Sequence, residues 1–210
     1  MEYIFINPVV DKMYVKEELD KVLLDKGYIR VEVENDWHGI VKEKYKELHK
    51  NRNDLTILDR RCPATIDTIS HYVKDGEVLT HEIEPILIHC GREIAEREDL
   101  KDKKKVITTP CKSLADYGNK LNLEDTTFIS WNEFLKKLNL DKEPKRKILD
   151  ESPIPPGYFI DFGSKIKSLS GKENIENYFK DGLHKRDELV EMLYCNNGCN
   201  NGDGVLINEK

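Results

Sequence analysis

The side chains best suited to unusual chemistry in this sequence are its five cysteines, at positions 62, 90, 111, 195 and 199. Cys62 stands in Arg60-Arg61-Cys62-Pro63 and Cys111 in Thr109-Pro110-Cys111-Lys112, each just past a short run of β-branched and apolar residues. Cys195 and Cys199 are one helical turn apart in Cys195-Asn196-Asn197-Gly198-Cys199-Asn200-Asn201-Gly202, where Gly198 removes bulk beside the second thiol. Backbone N–H groups in such a Gly/Asn-rich turn can converge on an anionic centre. Thiolates at 62, 111, 195 and 199 suit a soft-metal site, either zinc or an iron–sulfur cluster. The C-x-x-C knuckles common in zinc sites are absent, which favours a cluster. Taken singly, each cysteine has a plainer reading: a thiol beside proline is ordinarily inert. Cys90, on an apolar helical face with Ile86, Leu87 and Ile94, reads as core packing.

Loops that carry such thiols need strands and helices to place them. Tyr3–Ile6, Tyr28–Val33, Leu55–Leu58, Val106–Thr109 and Thr127–Ile129 read as short strands, the first stopped by Asn7-Pro8. Between them, residues 15–26, 37–49 and 82–97 carry apolar residues at helical spacing, and Gly27 is placed to end the first of these helices. Pro63 suits the first turn of a short helix, and Ser130 with Glu133 has the spacing of a capping box for a helix over 131–138. Strands alternating with helices imply an α/β fold with parallel sheets, and ligands gather beyond the carboxyl ends of such strands. Cys62 and Cys111 both fall there. The rhythm breaks near residue 140. The expected division is therefore 1–140, an α/β lobe with the first two cysteine motifs, and 141–210, an extended connection and short helical segment with the C-terminal pair. A charged hinge at 141–146, a proline-fixed stretch from Ser152 to Gly157, and helices near 171–181 and 185–194 make up that second part.

Composition limits the function classes. Charged residues make up 35% of the chain, mixed in sign as 34 Lys+Arg against 40 Asp+Glu, for a net charge of −6. That balance argues against broad attraction to nucleic acid or to an anionic membrane. No apolar run approaches the roughly 20 residues that span a bilayer, and the N-terminus lacks the basic flank of a signal peptide. The expectation is a cytoplasmic protein with no nucleic-acid or membrane partner. Lys103-Lys104-Lys105 reads as a solvated turn, and Arg60 and Arg61 either as surface residues or as charges that raise a cluster's potential or dock an acidic electron donor.

Three segments carry a family resemblance. Leu58-Asp59-Arg60-Arg61-Cys62-Pro63-Ala64, Thr109-Pro110-Cys111 and Tyr194-Cys195-Asn196-Asn197-Gly198-Cys199-Asn200-Asn201-Gly202 resemble, in order, the three cysteine motifs of iron-only (FeFe) hydrogenase catalytic domains. The likeness runs from about residue 55 to 205, and the last motif is its most specific part. The resemblance implies parallel-sheet lobes flanked by helices and a 4Fe–4S cluster held by Cys62, Cys111, Cys195 and Cys199. Arg61, Thr109, Lys112 and Gly198 would surround it. In the family the last cysteine also bridges to a two-iron unit that makes hydrogen. Here the family's proton-relay cysteine is replaced by Arg61, whose guanidinium is permanently protonated. Leu114 stands where the family has a lysine, with Lys112 nearby, and Thr109 and Leu193 stand at methionine positions. The interval from Cys111 to Cys195 is also shorter than in the hydrogenases. These departures keep the cubane and remove hydrogen activation, so no catalytic residue is assigned. The expected role is electron transfer or redox sensing with a redox partner protein. A redox enzyme with a modified site and a cluster carrier or assembly adaptor are the alternatives.

Overall fold

The computed structural model describes residues 1–74, 76–139 and 144–206. Its strands are β1 (Glu2–Phe5), β2 (Tyr28–Arg30), β3 (Thr56–Leu58), β4 (Val78–Leu79), β5 (Lys105–Thr109), β6 (Thr126–Ser130), β7 (Ile166–Ser170) and β8 (Leu189–Leu193). The α-helices are α1 (Pro8–Met13), α2 (Lys16–Asp25), α3 (Trp37–Lys50), α4 (Pro63–Ile69), α5 (Ile86–Glu96), α6 (Lys112–Lys120), α7 (Trp131–Leu138) and α8 (Lys172–Lys180). The protein is α/β with two four-stranded parallel sheets flanked by helices, as the sequence led us to expect.

Two compact units are interleaved along the chain. The first takes Met1–Asn35, the described residues of Leu87–Ile154, and 199–206; the second takes Asp36–Ile86 and Pro155–Gly198. The expected division at residue 140 follows the composition, whereas the packing follows strand pairing: β3 lies beside β8, with Ile57 opposite Leu189 and Leu58 opposite Val190. Of the charged hinge expected at 141–146, residues 141–143 lie outside the described residues.

In the first unit the sheet order is β2-β1-β5-β6. Asn7 ends β1 and starts α1 in one step, its side chain accepting from the Val9 and Val10 amides. Its own amide donates to Thr108 Oγ1 at 2.9 Å, and that hydroxyl donates to the Phe5 carbonyl at 3.0 Å, which ties the end of β1 to β5. One face of this sheet is covered by a cluster of Ile4, Val9, Val10, Leu19, Leu23, Tyr28, Val106, Trp131 and Phe134. On β6, the Phe128 ring lies against both Gly91 of α5 and Gly118 of α6, where a Cβ at either position would overlap it. Cys90 is buried in α5, as its apolar face predicts, and burial pushes its thiol up to about 12.

The second unit has the order β4-β3-β8-β7. Its central strands, β3 and β8, are buried on both faces, so their apolar residues show no alternation, and β8 encloses Glu191 as well. Leu58, Val190 and Met192 pack with Ile69, Ile175 and Phe179; Ile57 and Leu189 pack with Val41, Tyr45 and Phe159.

Four expectations need correction. The helix expected at 185–194 is a short 3-10 turn, Leu183–Arg186, followed by β8. Strands β4 and β7 were not anticipated. Ser130 does start α7, but its hydroxyl donates to the Glu133 carboxylate at 2.6 Å instead of closing a capping box on the helix amides. Lys105 is not in a solvated turn: it is buried in β5, and its ammonium donates to the Leu100 carbonyl. Among the described residues, no helix is long and apolar enough to cross a membrane.

Candidate metal centre

Each unit carries two of the four proposed ligands, and in each they lie at the carboxyl end of the parallel sheet. In the second unit, Cys62 follows β3 and occupies the N-cap position of α4, with Pro63 at the first helical residue. Cys195 follows the neighbouring strand β8 after Tyr194. In the first unit, Cys111 follows β5 and is the N-cap of α6, while Cys199 opens a single 3-10 turn, Cys199–Asn201. The division between the units falls between Gly198 and Cys199, inside the C-terminal motif.

The Cys62 side chain makes no capping bond to α4, and the Thr65 amide donates to the Cys62 carbonyl at 3.1 Å. The dipoles of the Tyr194, Thr65 and Ala64 amides still pull the thiol down. Burial outweighs them and the Asp59 carboxylate opposes the charge, so the thiol lies above its ordinary range. A cation bound to the sulfur reverses that balance, because it supplies the positive charge the thiolate lacks. The place of Cys62, past the carboxyl end of β3 at a strand-to-helix junction, is one where ligands gather in parallel sheets.

The turn that bears Cys195 is shaped by two left-handed residues, Asn197 at φ 59° and Gly198 at φ 122°. Gly198 is buried, and its amide reaches back to the Cys195 carbonyl at 3.4 Å. Asn196 lies so close to Gly171 that a Cβ there would overlap its side-chain oxygen. The Asn197 amide donates to Ser170 Oγ at 3.3 Å. The end of β7 thus supports the turn that follows β8.

In the first unit the chain after Cys199 is laid on the loop that carries Cys111. Gly204 donates to the Pro110 carbonyl at 3.1 Å, Gly202 donates to the Cys199 carbonyl at 3.1 Å, and Lys112 N donates to Asp203 Oδ1 at 3.0 Å. A Cβ on Gly202 would run into the Pro110 carbonyl oxygen, and one on Gly204 would lie 2.9 Å from it. The glycines let two backbones approach where side chains would hold them apart. Thr109 is buried and its hydroxyl donates to the Cys111 carbonyl at 2.7 Å, which fixes the loop from the strand side. The Lys112 side chain is exposed and paired with Asp116 one turn along α6, at 2.9 Å.

Arg61 is the residue whose place differs most from a surface reading. Its side chain is only 7% exposed, and it pairs with two carboxylates that are wholly buried: Nη2 lies 2.8 Å from Asp59 Oδ2 and 2.8 Å from Glu191 Oε1. Its amide and Nε both donate to Asp59 Oδ1. The guanidinium lies over the Tyr158 ring at 3.9 Å and the Phe159 ring at 4.6 Å. Burial opposes its charge, but the two acids more than offset this and hold it protonated. A guanidinium so enclosed cannot dock a partner. Arg60, by contrast, is exposed, and donates to the His81 carbonyl.

Sequence reasoning missed Asp59, Glu191 and Asp203. Glu191 had a signal, since it is the one acid inside the apolar run Leu189-Val190-Glu191-Met192-Leu193. Among the described residues, no group of three or more His, Cys, Asp or Glu side chains is gathered as for a metal ion. The four cysteines occur two to a unit.

No family model, curated protein or solved structure matches the chain.

Proposed function

We propose that this chain is an iron–sulfur protein in which Cys62, Cys111, Cys195 and Cys199 hold one 4Fe–4S cluster for electron transfer or redox sensing, without hydrogen activation. The observation that carries the reading is the placement of Cys62, a helix N-cap thiol just beyond a strand of a parallel sheet, where ligands gather. Cys111 repeats the strand-to-helix placement, and the glycine-bearing turns around Cys195 and Cys199 fit ligands that must approach a bulky inorganic group. Bound there, the cluster would supply a one-electron centre. The chain's own residues supply the thiolates and the loops at the sheet ends that carry them. Arg61 supports electron transfer over hydrogen chemistry, because a guanidinium locked between two acids gives no exchangeable proton beside the centre. A redox partner protein and a cytoplasmic location belong to this reading, since thiolate ligation needs a reducing compartment.

Anaerobic reconstitution with iron and sulfide tests it. The expected result is about four irons and four sulfides per chain, as a cubane requires, with the broad visible absorption of an iron–sulfur centre. Stoichiometric zinc with no iron uptake would overturn the proposal. Carbonyl and cyanide infrared bands after maturation would move the protein to the hydrogen-activating class. Transfer of the cluster to an apo-protein would make it a carrier.

A further inference from the structure

His184 in the second unit is buried without the contacts that an imidazole requires. Its side chain is 1% exposed, it lies in the 3-10 turn Leu183–Arg186, and its ring stacks on Phe179 of α8 with centroids 4.7 Å apart. Among the described residues neither Nδ1 nor Nε2 has a hydrogen-bond partner, and neither is open to solvent. The ring has lost the hydrogen bonds it makes in water and makes none in the protein. Glu77, just before β4, holds Oε2 4.0 Å from Nε2, beyond hydrogen-bond reach. Its carboxylate is already engaged by the Lys185 ammonium at 2.8 Å and the Lys74 amide at 3.2 Å. Lys185 and Asp187 face the ring from its own turn and the exit of that turn. β3 brings the neutral hydroxyl of Thr56, and α8 brings Phe179 and Tyr178, whose hydroxyl bonds to the Asp187 carboxylate. The turn is lightly held. It is entered from α8 through Gly182, which is left-handed at φ 67° with open space where a Cβ would stand. Its side-chain tie to β3 is one hydroxyl: Thr56 Oγ1 lies 3.0 Å from the His184 carbonyl and 2.9 Å from that of Asp187, and its single proton serves one of them at a time.

We propose that His184 is a proton-operated latch, which keeps the Leu183–Arg186 turn seated on the second sheet while the ring is neutral and releases the turn about Gly182 when the ring takes a proton. The inference stands apart from the iron–sulfur reading. A proton turns the stacked imidazole into a buried cation with two N–H donors and no acceptor at bonding distance. Closing on that cation would draw Glu77 away from Lys185 and the Lys74 amide, whereas the turn reaches water by rotation at one glycine. Burial, the leading influence, and Lys185 resist the charge, while Glu77 and Asp187 favour it. The seated turn therefore binds the proton less readily than the released one, and acid shifts the balance to release. Release would bare the Phe179 ring and free the carbonyls served by Thr56, so acid uncovers a face of α8 that is closed at neutral pH.

The test is amide hydrogen exchange of the full chain, read by mass spectrometry at about pH 7.5 and about pH 5.5, which bracket the free imidazole value of about 6.5. Rates are corrected for the intrinsic effect of pH on exchange. Protection of the amides from Leu183 to Asp187 should fall by up to about tenfold at the lower pH, the factor by which a free imidazole favours its charged form there. β8 should keep its protection. In His184→Gln and His184→Phe, which cannot take the proton, protection of the turn should no longer depend on pH. Unchanged or increased protection of the wild-type turn in acid would overturn the inference. Loss of protection in β8 to the same extent would overturn it too, since the opening is then that of the whole unit. A pH dependence that survives in both variants would equally remove His184 as its source. Should neither variant fold, the wild-type comparison of turn with strand still decides the matter.

Discussion

The Gly204 amide donates to the Pro110 carbonyl at 3.1 Å, and this bond joins the end of the glycine-bearing C-terminal motif to the strand end that carries Cys111. Gly202 makes the approach possible, because a Cβ there would strike the same carbonyl oxygen and lie 3.1 Å from that of Cys199. Backbone oxygens cannot swing aside as a flexible side chain can. Gly202→Ala should therefore cost about 1–3 kcal/mol, the usual penalty for overfilling a packed site. It should also weaken iron retention. A lowered urea midpoint with reduced iron content in the reconstituted variant is the expected outcome, and an unchanged midpoint would show that the loop yields freely.

The Phe128 ring makes a second packing test. It fills the space left by two missing side chains, Gly91 on α5 and Gly118 on α6. Adding a methyl group at Gly118 forces the ring towards the other helix, so Gly118→Ala should destabilise by about 1–3 kcal/mol. Phe128→Leu should also destabilise, through lost burial, by a similar amount. Combined, the two changes should cost less than their sum, since the smaller side chain accommodates the added methyl. Urea unfolding of the two single variants and the double variant measures the coupling.

Glu191 carries the largest single stability prediction. Its removal by Glu191→Ala would leave the buried Arg61 with one acid, and the Gly157 amide, the Tyr158 amide and Ser168 Oγ without their acceptor. Breaking a buried pair by removing one partner costs about 3–5 kcal/mol. The unfolding free energy should drop by that much, whereas Glu191→Gln, which keeps an acceptor oxygen in place, should cost clearly less. Equal losses in the two would mean that the donors matter little.

What was legible in the sequence divides along physical lines. Parallel strands β1, β3, β5 and β6 were readable because each is a short apolar run cut off by Asn, Pro or a capping residue, and α2 and α3 because their apolar stripes keep helical spacing. Cys62 and Cys111 were readable as strand-end residues for the same reason. β8 was not, because Leu189-Val190-Glu191-Met192-Leu193 is apolar on both faces and shows no period, and its lone acid looks like a break in a helix instead of a buried partner. The interleaving of the two units was also hidden: β3 finds β8 across most of the chain, and only pairing reveals it. The enclosure of Arg61 was hidden because one of its two acids, Glu191, comes from β8, which the sequence did not disclose, and the other, Asp59, gave no sign of being buried.

His81 gives a prediction about pH. It is buried in the second unit, its Nε2 lies 2.9 Å from the Leu58 carbonyl, and its Nδ1 accepts the Ile83 amide at 3.2 Å. That pairing fixes the neutral tautomer with the proton on Nε2, since a second ring proton would face the Ile83 N–H. Burial, the leading cause, and Arg60 hold its pKa below the ordinary 6.5, against the pull of the Leu58 carbonyl and Asp59. The unfolded chain therefore binds the proton more readily, so stability from this group is complete above about pH 6.5 and is lost as pH falls towards the folded value. Buried His184 is shifted the same way, mainly by burial, and adds to the slope. Unfolding free energies measured from pH 7.5 down to 5 should fall, values chosen to bracket the free histidine range of about 6.5. In His81→Gln the fall should be smaller, and an identical slope would assign the whole effect elsewhere.

Cysteine replacement separates the proposed ligands from the core thiol. Cys90 lies on the buried face of α5, where burial raises its thiol to about 12 and keeps it protonated at neutral pH. Cys90→Ser places a hydroxyl in an apolar setting and should cost about 1–3 kcal/mol in stability while leaving iron uptake unchanged. At Cys62 the expectation is the reverse. Cys62 is the N-cap of α4, a position where serine is among the favoured residues, so Cys62→Ser should fold with a smaller loss and yet fail to hold a full cluster. Serine at 111, 195 or 199 should likewise reduce the iron content of the reconstituted chain. Iron and sulfide determinations on the five variants, beside their unfolding midpoints, give four that lose iron and one that loses mainly stability. Full iron content in any of the four would remove that residue from the ligand set.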